Sequence, residues 1–85
     1  MQEIGRGDWR VNATLRLDDF RREHPALRDV PEVETLGGLV VHLCERVPTV
    51  GERVRHDGLS FEVLAGDERR VRELRVRVLR RKGAR

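Results

Sequence analysis

The stretch TLGGLVVHLCERVPTVGE, Thr35 to Glu52, decides how this chain is read. Leu36, Leu39, Val40, Leu43 and Val47 recur at i, i+3, i+4, i+7 and i+11, the spacing that lines one side of a helix. Val41 and Cys44 widen that stripe, so more than half of the helix is expected to be covered, with His42, Glu45 and Arg46 left for solvent. Thr35 is suited to cap the first amides, and Glu34 adds negative charge where the helix dipole favours it. Pro48 cannot continue the helix and Gly51 supplies a turn. Two glycines, Gly37 and Gly38, stand in the first turn, each costing about 1 kcal/mol relative to alanine. Something must offset that cost. Either backbone passes close to the helix there, or the amides of Gly37 and Gly38 meet an anionic ligand. Close packing is the expectation, because no Walker motif and no GxGxxG accompanies the pair.

Outward from this helix the periods change. In WRVNATL, Trp9, Val11, Ala13 and Leu15 alternate with Arg10, Asn12 and Thr14, which predicts a strand. RLDDFRREHP predicts a short helix with Leu17 and Phe20 inward, Asp18 and Asp19 in its first turn, and an end forced by Pro25. Beyond Gly51, ERVRH and LSFEVLA read as two strands joined by Asp57-Gly58, the favoured two-residue hairpin turn. After GDERR, the segment VRELRVRVLR returns with Leu74, Val76 and Val78 inward, and with Glu73, Arg75 and Arg77 outward. The predicted order is β-α-α-β-β-β: an α+β domain with an antiparallel sheet and two helices packed on one face. Residues 1–8 read as a connector, 9–80 as the domain and 81–85 as a basic tail.

Composition narrows the function classes. The 85 residues suit one small domain. Charged residues make up 39% and no run of 18 apolar residues occurs, so no segment is a candidate membrane span. MQEIGRGDWR lacks the apolar core of a secretory leader. A single cysteine excludes an internal disulfide and fits a reducing compartment. Eighteen basic residues face fifteen acidic ones, a net charge of +3 whose excess lies toward the C-terminus. Acidic groups elsewhere, and only three aromatic residues, speak against a nucleic-acid surface.

Three ordered pieces carry a family resemblance: Thr35-Leu36-Gly37-Gly38, then Pro48-x-x-Gly51, then Gly58-Leu59-x-Phe61-x-Val63. With GDWRVNATLRLDDF before them, they resemble the CorC/HlyC transporter-associated domain from Gly7 to Arg80. One departure stands out. The family has Asp-Gly where this chain has Asn12-Ala13, so alanine replaces glycine at an expected tight turn. The resemblance implies a cytoplasmic C-terminal module of a CBS-containing inner-membrane protein concerned with magnesium or cobalt. It implies a role in modulating transport rather than in the transport itself. The implied partners are the parent's pair of CBS modules and its membrane domain; a second copy of the domain is a further candidate for the docking face. It also implies a fold grouped with FAD-binding domains, so FAD or an adenine nucleotide enters only by fold analogy, and no cofactor is assigned. The alternative is a small-ligand sensor holding such a phosphate at Gly37 and Gly38.

Other chemistry has little footing. His42 and Cys44 project about 200° apart on a helix and cannot share an ion. Asp18, Asp19 and Glu23 form the one close acidic group, which fits a solvated helix face better than a magnesium site, so no metal ligand is assigned. No hydroxyl has a visible base, and Cys44 sits on a largely covered helix, so no catalytic residue is assigned. Trp9 falls at an inward strand position. The expected contact face is the polar side of the last strand, carried by Arg72, Arg75 and Arg77.

Overall fold

The computed structural model describes residues Met1 to Leu79; Arg80 and the tail expected at 81–85 lie outside the described residues. Trp9 and Val11 are buried while Arg10 and Asn12 are exposed, and this alternation forms β2 (Asp8–Asn12). Ahead of it stands β1 (Gln2–Gly5), paired antiparallel to β2. The helices α1 (Leu17–Glu23) and α2 (Leu36–Cys44) follow, then β3 (Arg53–His56), β4 (Leu59–Gly66) and β5 (Val71–Val78). The five strands form one antiparallel sheet in the order β1-β2-β5-β4-β3. The last strand thus closes the sheet from its centre, between β2 and β4.

Both helices bury their apolar sides against one face. Leu17 and Phe20 of α1, with Leu36, Leu39 and Val40 of α2, join Val11, Phe61, Leu74 and Val76 in a single core. Trp9 meets Phe20 edge to face, with ring centroids 5.2 Å apart at 85°. Trp9 is therefore core, only 8% exposed. Each fully buried Leu, Val or Phe contributes roughly 1.5–3 kcal/mol by leaving water.

The helix entrances fix how this layer sits. Thr35 caps α2, its Oγ1 accepting from the Gly38 amide at 3.0 Å. The next contacts cross to the other end of the domain's first turn: Leu36 N–H donates to Leu15 O (3.0 Å), and Gly37 N–H to Ala13 O (2.9 Å). In return Leu17 N–H donates to Glu34 O at 2.8 Å. A Cβ placed on Gly37 would lie 2.8 Å from the Ala13 Cβ and 3.0 Å from its carbonyl oxygen. Gly37 is thus the backbone-on-backbone contact that its sequence position announces. Gly38 is exposed, and a Cβ there would meet only the Thr35 hydroxyl at 3.2 Å and Val33 at 3.9 Å.

Several expectations are corrected. Residues 1–8 are not merely a connector, because β1 occupies Gln2–Gly5; all four of its residues are exposed, so no hydrophobic alternation marks it. The first core strand ends at Asn12 and not at Leu15. Asn12 turns the chain by accepting from Thr14 N–H (3.0 Å) and Thr14 Oγ1 (2.7 Å), while Leu15 N–H reaches Asn12 O at 3.0 Å. Ala13 is not in the left-handed region, so this turn works without glycine. Helix α2 stops at Cys44, before Pro48: Glu45 takes the left-handed cap at φ 60°, its amide bonded to Val41 O at 2.8 Å. Ala65 is only half-buried because register shifts between Val63 and Gly66 break the alternation of β4. Val78, expected inward, is 39% exposed at the end of its strand. The hairpin at Asp57-Gly58 forms as read, with φ of 51° and 78°, the pair of positive angles this turn type requires.

The turn after α2 is held by one carboxylate. Glu52 accepts from Arg46 Nη1 at 2.8 Å, from the Thr49 amide at 2.8 Å and from the Thr49 hydroxyl at 3.0 Å. The Arg46 bond foremost, then the Thr49 amide and hydroxyl, hold its pKa down at about 2.

Two outcomes follow. Gly37→Ala gains helix propensity but forces the Ala13 contact apart, so urea unfolding should show a net loss of roughly 1–3 kcal/mol. Gly38→Ala should cost clearly less; equal stability of Gly37→Ala and wild type would remove the close-approach account. The Glu52 pKa is lower folded than unfolded, so the unfolded chain binds the proton more readily. Its contribution is full above the ordinary value of 4.5 and is lost as pH falls toward about 2. Thermal melts across that window should fall less steeply for Glu52→Gln than for wild type.

Candidate functional site

The helices cover one face of the sheet, and the opposite face carries charge in rows set by the strand register. Cross-strand neighbours on one face stand roughly 4.5–5.5 Å apart at Cβ, so the pairing dictates which side chains meet. One row runs Asp8, Arg77, Ser60, Arg55 across β2, β5, β4 and β3. The next runs Arg10, Arg75, Glu62, Arg53. Glu73 lies beyond Arg75, opposite Asn12.

Charges on this face are partly compensated. Arg75 reaches Asp8 through Nε (3.0 Å) and Nη2 (2.8 Å), a two-pronged ion pair. That hydrogen bonding, ahead of the nearby charges of Arg75 and Arg77, lowers the Asp8 pKa against the opposing effect of burial. Arg10 makes a similar fork to Glu73 at 2.8 and 3.1 Å, which raises the Arg10 pKa. Arg77 has only a 3.9 Å approach to the Asp8 oxygen already engaged by Arg75, and Arg53 a 3.9 Å approach to Glu62. Arg55 has no acidic group within 4 Å among the described residues.

The three arginines read from the sequence are therefore not equivalent. Arg75 and Arg77 stand together on the open face; Arg72 lies about 16 Å along the strand from Arg77. Arg72 turns to Asp67 at 3.4 Å beside the Asp67–Arg70 turn. Arg53 and Arg55 on β3, which sequence reasoning did not single out, join the face instead. Their alternation with Val54 and His56 in RVRH was the available signal.

Gly37 and Gly38 offer little to a ligand. The Gly37 amide is bonded to Ala13 O and the Gly38 amide to Thr35 Oγ1, while Leu36 and Leu39 amides reach Leu15 O and Thr35 O. The helix start is thus satisfied within the chain, which leaves an outside phosphate no free donor there. An open groove of about 350 Å³ beside Gly38 is lined largely by side chains such as Val41, Val47 and Val71. Among the described residues no group of three His, Cys, Asp or Glu side chains converges as for a metal ion, and no helix is long and apolar enough to cross a membrane.

The described residues thus form a two-faced antiparallel sheet with one helical layer, charged on its open face. The chain belongs to the CorC_HlyC family of transporter associated domains, whose pattern it matches over residues 2–80. It is 31% identical over 77 residues to the magnesium and cobalt efflux protein CorC of Escherichia coli K12, covering 91% of this chain but 26% of that protein. The chain thus spans about a quarter of the length of the curated relatives it matches. The CorC-associated region from Neisseria meningitidis has the same fold, with TM-score 0.86 and 28% identity over 92% of this chain and 96% of that one. A transporter associated domain from a CBS domain protein of Porphyromonas gingivalis aligns with TM-score 0.78 and 25% identity, over 93% and 97% of the two chains. The family is one of transporter associated domains and not of enzymes.

Asp8 ties β2 to two arginines of the central strand, and its side chain is 17% exposed. Asp8→Asn leaves Arg75 without its carboxylate and should lower unfolding stability by about 1 kcal/mol. Arg72→Gln, at an exposed pair, should cost less than about 0.5 kcal/mol. Equal costs in chemical denaturation would mean that the Asp8 fork does not anchor the face.

Proposed function

We propose that this domain is the regulatory accessory part of a larger membrane ion-transport protein, and that it acts by docking. The uncovered, arginine-bearing face of the sheet carries this reading: an antiparallel sheet in a small domain can leave one face open, and here that face is charged and not apolar. The surface contributed by Arg75, Arg77 and their β3 neighbours meets a neighbouring domain of the parent, such as a CBS pair or the membrane domain, or a second copy. Arg72 belongs to the same strand but contacts from its far end. The names of the relatives, magnesium and cobalt efflux proteins and a CBS domain protein, support the parent's class. The unpaired Cys44 thiol is consistent with the cytoplasmic side of an inner membrane. Docking regulates transport only through differential affinity for the parent's conformational states, because a contact equal in both shifts nothing.

Charge reversal tests it in the full-length transporter that carries the domain. Arg77→Glu combined with Arg53→Glu should reduce inter-domain cross-linking and change cation efflux several-fold, since mismatched charge across an interface costs a few kcal/mol. Wild-type cross-linking together with wild-type efflux would reject this face as the docking surface.

A further inference from the structure

The charge rows end in a cleft that shares Arg53, Arg55 and Arg77 with the proposed docking face. It is a half-open cleft of about 500 Å³ at the end of the sheet where the β1–β2 turn approaches the ends of β5 and β3. Four arginines line it, Arg6, Arg53, Arg55 and Arg77, together with Ser60. The one acidic side chain in its lining is Asp8, and both Asp8 oxygens are held by Arg75. Among the described residues Arg6 and Arg55 have no acidic group within 4 Å, and Arg53 and Arg77 have contacts of 3.9 Å only. Elsewhere on the same face Arg10 and Arg75 are paired through two bonds each. On this face the deficit of negative charge thus lies at the cleft.

Register makes the cleft specific. Ser60 pairs with Arg55 on one side and Arg77 on the other, so a hydroxyl stands between two arginines whose backbones are about 10 Å apart. Guanidinium forks match the oxygens of phosphoryl groups two at a time, and a serine hydroxyl adds a further donor. A single carboxylate would engage one such fork and leave the others uncompensated. Val78 and Leu79, 39% and 36% exposed, line the same cleft and offer apolar contact to the body of a ligand.

We infer that the cleft between Arg6, Arg55, Ser60 and Arg77 is a binding site for a small soluble anion bearing at least two phosphoryl groups. The phosphoryl oxygens lie between Arg55 and Arg77 with Ser60 donating to them, and Arg6 and Arg53 close the charge. The inference stands on the cleft's own geometry and goes beyond docking.

Titration of the ¹⁵N-labelled 85-residue chain with inorganic pyrophosphate, followed by NMR, tests it without a partner; isolated family domains of similar length are known as folded structures. Saturable shifts should appear at Ser60, Arg55, Arg77 and Gly7, weakening as salt rises from about 0.02 to about 0.2 M. Arg55→Glu should weaken binding by at least about tenfold and Ser60→Ala more mildly, while Arg72→Glu, at the far end of β5, leaves it unchanged. A folded Arg55→Gln spectrum with weakened binding guards against unfolding as the cause. The site is overturned by non-saturable shifts, by shifts centred at the α2 N-terminus, by an equal loss in Arg72→Glu, or by sulfate binding as tightly as pyrophosphate. Binding to anionic phospholipid vesicles with none to pyrophosphate or ADP would likewise overturn it in favour of a lipid surface.

Discussion

At Gly37 the first turn of α2 lies so close to Ala13 that their backbones share a hydrogen bond of 2.9 Å and no side chain fits between them. This crossing joins the end of β2 to the start of α2, and reciprocal bonds between Leu15 and Leu36 and between Leu17 and Glu34 run beside it. The segment that leaves the sheet and the segment that returns to it are thereby clamped together. Helix α2 then lies where Leu36, Leu39 and Val40 reach the core, and the chain emerges to build β3 at the far edge. A glycine in a helix is unfavourable by itself; here its missing side chain permits contact that the rest of the layer relies on.

Covering one face fixes the character of the other. The central position of β5 brings Arg75 and Arg77 beside Asp8 of β2, a residue almost seventy positions away in the chain. Compensation is close to complete in the middle of the face and fails toward one end, where β3, β5 and the β1–β2 turn contribute arginines with little acid to oppose them. Clustered like charges are held by the strand register, which is fixed by the apolar side of each strand. The core thus imposes the polar arrangement.

Much of this was legible from local patterns. Alternation announced β2 and β4, the Asp57-Gly58 turn forms as read, Thr35 caps α2, and Trp9 is buried against Phe20. The α+β class with two helices on one face follows from those periods. Misreadings fall where a local signal was silent or was overridden. Nothing in QEIG alternates, since β1 is a strand only because β2 offers its edge. Pro48 looked like the end of α2, yet Glu45 turns left-handed first. Asn12-Ala13 looked like a strained turn, yet Asn12 makes it with its own side chain and the demand for glycine falls on Gly37.

The sequence alone determined the fold class, the family and, of the paired glycines, the close approach that Gly37 makes, because each rests on spacing within short segments, while Gly38 stays exposed. Tertiary structure decided which arginines stand together. Arg75 and Arg77 share a carboxylate from β2, Arg72 turns away to Asp67, and Arg53 and Arg55 join the face from β3. Charges from distant strands become neighbours only through sheet order and register, and a linear pattern carries neither.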